Sequence, residues 1–352
     1  MRLLVVIGAG ASFDCYPVHV GKRFDHESYK LPLARDLFSP LPAQNRLLKE
    51  YHLVGLASIL RNKSRTQGEK FDVEKELAYI NTTANTRNDL NTIQSLFKAR
   101  FYLHSLITNL TQTTLERTHS HTVYIDLLAI LKEWIDESPK NRFVDIVVFN
   151  YDNLIEKAME EVYNYDWFSK NRNAPLSAYY SGENLHIFKP HGSINWGREV
   201  LKNESHFSYT QAEHAFSEFD QLEIHHSFQL IDPNIIANTK ISKIYVPAIA
   251  IPFKNKTNFE ECPQEMLSKM LEAVKEADKL ITLGWKGADK HFTGLLKDNK
   301  KIDEIYVISP KADTQLDKIF SPGKFKPYES TFNHFVSATP TLEKILKTFD
   351  SK

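Results

Sequence analysis

The sequence predicts an α/β fold: a parallel sheet with a block of helices inserted into it. Three observations carry this reading. Short apolar runs recur at Leu3–Ile7, Ile146–Phe149 and Ile305–Ile308, and at Leu280–Leu283 with Thr282 inside it, and a run without polar alternation suits a strand covered on both faces. Segments of helical period separate the later runs, which is the alternation of a parallel sheet. From Gln44 to Glu137 only helical periodicity is present, too long a stretch for one crossover. The expectation is a single domain over residues 1–352, with a Rossmann-like core from 1–43 and 138–352 and a helical insertion over 44–137.

Taken in order, the first run feeds Gly8-Ala9-Gly10-Ala11-Ser12 without a spacer. A strand entering a glycine-rich turn is how backbone is brought close to a phosphate. A full dinucleotide fingerprint needs a third small residue where Phe13 stands, so a plain tight turn is the competing reading. Leu31–Phe38 reads as a loop and a short helix ending near Pro40. Apolar residues then repeat at helical spacing: Val73, Leu77 and Ile80; Ile93, Phe97 and Phe101; Val123, Leu127, Leu131 and Trp134.

The next run ends at Asn150-Tyr151-Asp152, and Asn153–Tyr163 follows as a helix with Leu154, Ala158 and Val162 on one face. Leu185–Phe188 is a further strand, delivering Lys189-Pro190-His191-Gly192-Ser193. Arg198–Thr239 is polar and irregular, and Ile244–Pro252 is a strand interrupted by prolines. A helix over Glu261–Ala277 leads to Leu280–Leu283, which ends in Gly284-Trp285-Lys286-Gly287-Ala288-Asp289; another leads to Ile305–Ile308, ending at Ser309-Pro310. Phe332, Phe335 and a helix over Leu342–Phe349 close the domain.

Composition excludes several classes. Lys plus Arg and Asp plus Glu are both 44, so no global charge favours nucleic acid or an anionic membrane. No run is long enough to span a membrane. Two cysteines, Cys15 and Cys262, exclude a disulfide framework and an all-cysteine zinc knuckle within one chain, and read as small buried residues in a reducing, cytoplasmic setting. The adjacent His225 and His226 lack further ligands at metal-binding spacing, so no metal is expected.

Four strand ends carry small or polar groups: Gly8–Ser12, Asn150–Asp152, His191–Ser193 and Gly284–Asp289. In an open α/β sheet ligands gather at the carboxyl ends of the strands, and four such ends on one edge describe a nucleotide pocket. Asn and Asp are also turn and cap residues. The chain has 14 histidines, and only the residues around His191 single it out as a general base.

Gly8-Ala9-Gly10-Ala11-Ser12, Asn150-Tyr151-Asp152 and Lys189-Pro190-His191-Gly192-Ser193 together resemble the SIR2-like, sirtuin-related domains of bacterial anti-phage systems. Leu31–Leu37, Val73–Leu77, Val246-Pro247 with Pro252 and Lys254, and Gly284–Asp289 extend the resemblance over most of the chain. Protein-deacetylating sirtuins carry a cysteine-ligated zinc module that two cysteines cannot build, and their Pro-Asp-Phe-Arg segment is missing, which argues against deacylation.

What the resemblance implies is cleavage of NAD at the nicotinamide bond, with NAD as substrate. On that reading Asn150 hydrogen-bonds the water or the ribose and His191 acts as base. The Gly8–Ser12 amides hold the diphosphate, and Gly192, Ser193 and Gly284 line the site. Asp152 and Asp289 fix ribose hydroxyls or cap helices. An NAD or ADP-ribose sensor without turnover, and a protein ADP-ribosyltransferase or deacylase, are the alternatives. A free NAD hydrolase would be toxic to its own cell, so a homo-oligomer, or a partner sensor or ATPase chain, is expected to supply the switch.

Overall fold

Leu3–Ile7 are all but wholly buried, as a strand sandwiched between two helical layers requires, and they form most of β1 (Arg2–Ile7) at the centre of the sheet. The structure is a computed structural model and describes residues 1–17, 30–164, 175–201, 216, 219, 222–237, 243–254, 259–310, 320, 323–338 and 340–349. The other strands of the main sheet are β2 (Phe143–Val148), β3 (Leu185–Phe188), β7 (Lys279–Leu283), β8 (Glu304–Ser309) and β9 (Phe325–Glu329). Their order is β3-β2-β1-β7-β8-β9, and every pair is parallel. The strand order reverses at β1, with β2 on one side and β7 on the other. The carboxyl ends of β1 and β7 therefore flank the switch-point crevice where such sheets bind ligands.

A second, three-stranded antiparallel sheet runs β5-β4-β6, from β4 (Gly192–Glu199), β5 (Gln229–Leu230) and β6 (Tyr245–Ile249). The expected strand around Ile244–Pro252 is thus β6. Gly192 and Ser193, expected as a strand-end loop, instead begin β4. Gly192 has φ +79°, and a Cβ there would lie 1.9 Å from Ala248 O. Only glycine lets the chain leave the parallel sheet and pair at once with β6.

The helices are α1 (Ala9–Phe13), α2 (Pro42–Glu50), α3 (Val54–Gln67), α4 (Val73–Arg87), α5 (Leu90–Arg117), α6 (Val123–Asp136), α7 (Leu154–Tyr163), α8 (Gln264–Glu276), α9 (Lys290–Asp298) and α10 (Thr341–Phe349). The long helical run is shared between two cores. Leu47, Leu48, Leu60, Leu77, Phe101, Tyr102 and Leu103 pack with Tyr245, Val246 and Ile249 of β6. Val123, Leu127, Leu131 and Trp134 of α6 pack with the main sheet instead. The apolar stripe of α6 faces the buried apolar side chains of the sheet, and covering both takes apolar area out of water. Cys15 and Cys262 are free and buried. Among the described residues no helix is long and apolar enough to cross a membrane.

Candidate functional site

The Gly8–Ser12 turn lies directly against the end of β7. Gly8 N donates to Leu283 O at 3.0 Å and Gly10 N to Gly284 O at 3.1 Å. A Cβ on Gly8 would come within 2.6 Å of Trp285 Cα, and one on Gly284, where φ is +58°, within 2.3 Å of Ala11 N. The glycines let two strand ends cross in backbone contact. That contact, together with a bond from Ala11 N to Gly8 O at 2.9 Å, engages the amides of Gly8, Gly10 and Ala11 inside the protein. Ala9 is the exposed member of the turn. Ser12, also expected on the ligand, is buried: its hydroxyl lies 2.8 Å from Tyr124 OH and accepts from Asn150 Nδ2 at 2.6 Å.

Asn150 stands just beyond β2, where Phe149 N still bonds Ile7 O at 2.9 Å. Its side chain is 5% exposed as a residue and points under the glycine turn. Nδ2 donates to Gly8 O at 3.1 Å and to Ser12, and is 3.4 Å from Tyr124 OH. Its oxygen, Oδ1, is buried and has no hydrogen-bond partner. An unmet buried acceptor costs about 1–3 kcal/mol, so a donor on a ligand at this point would be favoured. Asp152 is buried and accepts the Leu154 N–H at 3.3 Å, serving the start of α7. Burial raises its pKa, partly offset by the Lys189 ammonium and the Ser12 hydroxyl.

His191 lies in the short link between β3 and β4. Its ring packs against Phe149 at 5.0 Å, Tyr151 at 6.4 Å and Phe259 at 6.2 Å between centroids. Phe149 in turn stacks on Trp285 at 5.5 Å. Asn150 is thus flanked in sequence by two of the three aromatics that pack on the His191 ring. Nε2 of His191 is 3.3 Å from Asp289 Oδ2, and Asp289 also caps α9, its Oδ1 accepting from Phe292 N at 2.8 Å. The cap reading of Asp289 has its structural counterpart in Oδ1, whereas Oδ2 faces His191, a contact that the local sequence does not suggest.

Ser193 is wholly buried and belongs to an internal charge network rather than to the cleft wall. Lys189 Nζ donates to Ser193 Oγ at 2.8 Å, Glu156 Oε1 at 2.8 Å and Asp152 O at 2.5 Å. Tyr179 OH donates to the same Glu156 oxygen at 2.9 Å and accepts from Asn195 Nδ2 and Trp196 Nε1, both at 3.1 Å. An ammonium and a carboxylate this deeply buried require such partners. The network ties β3, β4, α7 and the Asn150–Asp152 turn into one rigid corner.

The structure brings Gly8, Gly10, Ala11, Ser12 and Gly284 together with Asn150, and separately joins His191 to Asp289 beside the same turn. Gly192 and Ser193 support the corner from behind. Sequence reasoning missed Tyr124, whose apolar-period position on α6 carries no sign that its hydroxyl reaches Asn150. It also missed Lys189 and Glu156, although a glutamate among Leu154, Ile155 and Ala158 on the buried side of α7 is a readable signal. Among the described residues no three His, Cys, Asp or Glu side chains gather as a metal site.

No curated protein matches the chain. Solved structures that it resembles include a Sir2 homologue mutant with 2′-O-acetyl ADP-ribose, at 14% identity and TM-score 0.43, covering 100% of this chain and 94% of that one. Another is a Sir2 homologue–NAD complex, at 12% identity and TM-score 0.42, covering 99% and 90%. A family profile described as a SIR2-like domain matches residues 145–324, just over half of the 352-residue chain, and that span takes in the Asn150 turn, the His191 link and the Gly284–Asp289 end of β7. Because that profile spans more than half of the chain, the chain belongs to the SIR2-like domain family.

Proposed function

We propose that the protein is an NAD hydrolase that breaks the bond between ribose C1′ and the nicotinamide nitrogen, giving nicotinamide and ADP-ribose. Membership of the SIR2-like family supports NAD as the substrate. The observation that carries the reading is the Asn150 carboxamide, fixed through its nitrogen and with its oxygen buried and unmatched, beside a histidine held by a carboxylate. Nicotinamide departs as a neutral molecule, so its loss needs no strong acid. The developing ribosyl cation needs a positioned nucleophile.

Asn150 Oδ1 accepts a hydrogen bond from the attacking water or a ribose hydroxyl. His191, backed by Asp289, takes a proton as water adds to C1′ and releases it to solvent. The diphosphate lies along the exposed Ala9 side of the glycine turn, since the Gly8, Gly10 and Ala11 amides are already engaged. Asp152, already accepting the Leu154 amide, keeps the Asn150 turn in place. In the cell such an activity would deplete NAD as an anti-phage effector, under control of self-assembly or a partner chain.

Purified protein incubated with NAD tests this directly. Free nicotinamide and ADP-ribose in equal amounts support hydrolysis. Saturable ADP-ribose binding with no nicotinamide release would instead show a sensor, and nicotinamide release with label retained on protein would show a transferase.

A further inference from the structure

Helix α5 carries a row of polar side chains whose hydrogen bonding is unfinished. Arg100 Nε, His104 Nδ1, Thr108 Oγ1 and Thr111 Oγ1 are all buried without a hydrogen-bond partner. Their spacing places them on one face of the helix over successive turns. His104 and Thr111 are only 1% and 3% exposed as residues. A helical threonine can bond the carbonyl four residues back, as Thr113 and Thr114 do here. Thr108 and Thr111 keep their hydroxyls unspent.

The row is anchored beside the site along its length. Arg100 pairs with Glu261, in a turn closed by Cys262 N on the carbonyl of Phe259, an aromatic that packs on His191. His104 Nε2 is 2.7 Å from Ile194 O, and Ile194 N donates to Tyr151 O at 2.8 Å, next to Asn150. Beyond Thr111, Thr114 Oγ1 meets Tyr16 OH at 3.1 Å, in the segment that follows Ser12. Thr108 and Thr111 lie between these anchors, along the corner where the Asn150 turn meets the glycine turn.

Ile194 fixes the chemistry that the row presents. A carbonyl only accepts, so the neutral His104 ring carries its proton on Nε2 and offers a bare Nδ1 as acceptor. An acceptor, followed along the helix by two hydroxyls able to donate, complements a primary carboxamide: its NH2 donates and its oxygen accepts twice. Nicotinamide carries that group. The four atoms are covered in this conformation, so a ligand reaches them when α5 shifts off the corner, and leaving them dry and unpaired lowers the cost of that shift.

We infer that α5 reads the leaving group: His104 Nδ1 accepts an N–H of the nicotinamide carboxamide, and the Thr108 and Thr111 hydroxyls donate to its oxygen. This rests on the proposed NAD-cleavage reading and brings the helical insertion into the substrate site.

The test compares full-length wild-type, His104→Leu, Thr108→Val and Thr111→Val proteins on NAD and two analogues. Acetylpyridine adenine dinucleotide has a methyl in place of the carboxamide NH2, and thionicotinamide adenine dinucleotide has a weakly accepting sulfur in place of the oxygen. Intrinsic reactivities are common to all variants, so a change in the ratio of kcat/KM between two substrates reports the contact alone. His104→Leu should lower the preference for NAD over the acetylpyridine analogue about tenfold, the size of one hydrogen bond. Each valine variant should leave that preference unchanged and lower the preference for NAD over the thio analogue about threefold or more. A merely structural role lowers all rates together and leaves both ratios at their wild-type values, which would overturn the inference and leave the row to buried water. Should His104→Leu fail to fold, the thio ratio in the near-isosteric valine variants decides. If wild type releases no nicotinamide, the hydrolase reading fails on its own, and calorimetric Kd values for the three dinucleotides supply the same ratios.

Discussion

Asp289 serves two elements at once: one carboxylate oxygen is 3.3 Å from His191 Nε2, and the other accepts the Phe292 N–H at 2.8 Å to cap α9. The helix therefore fixes the carboxylate, and the carboxylate fixes the ring. These two tasks can be separated, because serine is as good a helix cap as aspartate but too short and uncharged to hold the imidazole.

Asp289→Ser is accordingly expected to keep thermal stability near wild type while lowering kcat for NAD cleavage about tenfold. Asp289→Ala loses the cap as well and should cost about 1 kcal/mol of stability. Urea unfolding and nicotinamide release, measured on the same preparations, check both. Equal turnover in Asp289→Ser and wild type would reduce Asp289 to a cap.

His191→Ala and Asn150→Ala should each cut NAD cleavage by about 10²–10⁴-fold, and the double variant should be little worse than the poorer single. Their stabilities should differ. His191 sits at a partly open turn, whereas removing Asn150 takes away two buried hydrogen bonds, to Gly8 O and to Ser12 Oγ, together worth about 1–3 kcal/mol. Turnover per folded molecule near wild type in His191→Ala would exclude it as the base.

The buried Lys189–Glu156 pair makes a stability forecast independent of function. Lys189→Met strands the Glu156 carboxylate in the core and should cost about 3–5 kcal/mol. Adding Glu156→Leu removes the stranded charge and should recover most of that loss. Chemical denaturation of the two variants and wild type reads the difference, and a double variant no more stable than the single would contradict this account of the corner.

His104 on α5 sets a pH dependence. Its Nε2 is 2.7 Å from Ile194 O, and burial lowers its pKa from 6.5 to about 4. As pH falls, the unfolded chain takes up this proton near 6.5 and the folded chain only near 4. The unfolded state thus binds more protons within that window, and stability should fall through it by up to about 3 kcal/mol. His104→Gln, which cannot titrate, should show a shallower loss of unfolding free energy between pH 7 and about 4.5 than wild type does.

Local residue pattern was enough to mark most strands and helices and the polar groups at the strand ends. Short apolar runs bounded by turn residues suit covered strands, so Leu3–Ile7, Leu280–Leu283 and Ile305–Ile308 were legible from the local pattern, as was the helix after Asn153. Glycines after β1 and β7 were legible as close-approach positions, although not that each turn is the other's neighbour. Pairing between distant residues, by contrast, emerged from packing in three dimensions. The 98-residue separation of His191 from Asp289, the 112 of Ser12 from Tyr124 and the crossing of Gly8 over Trp285 leave no trace in local periodicity, which records only which face of an element is buried and not what lies against it. The same limit explains Gly192–Ser193: a polar, glycine-bearing strand end reads as a loop until the Ala248 backbone, more than fifty residues on, shows that it is the first pair of a second sheet.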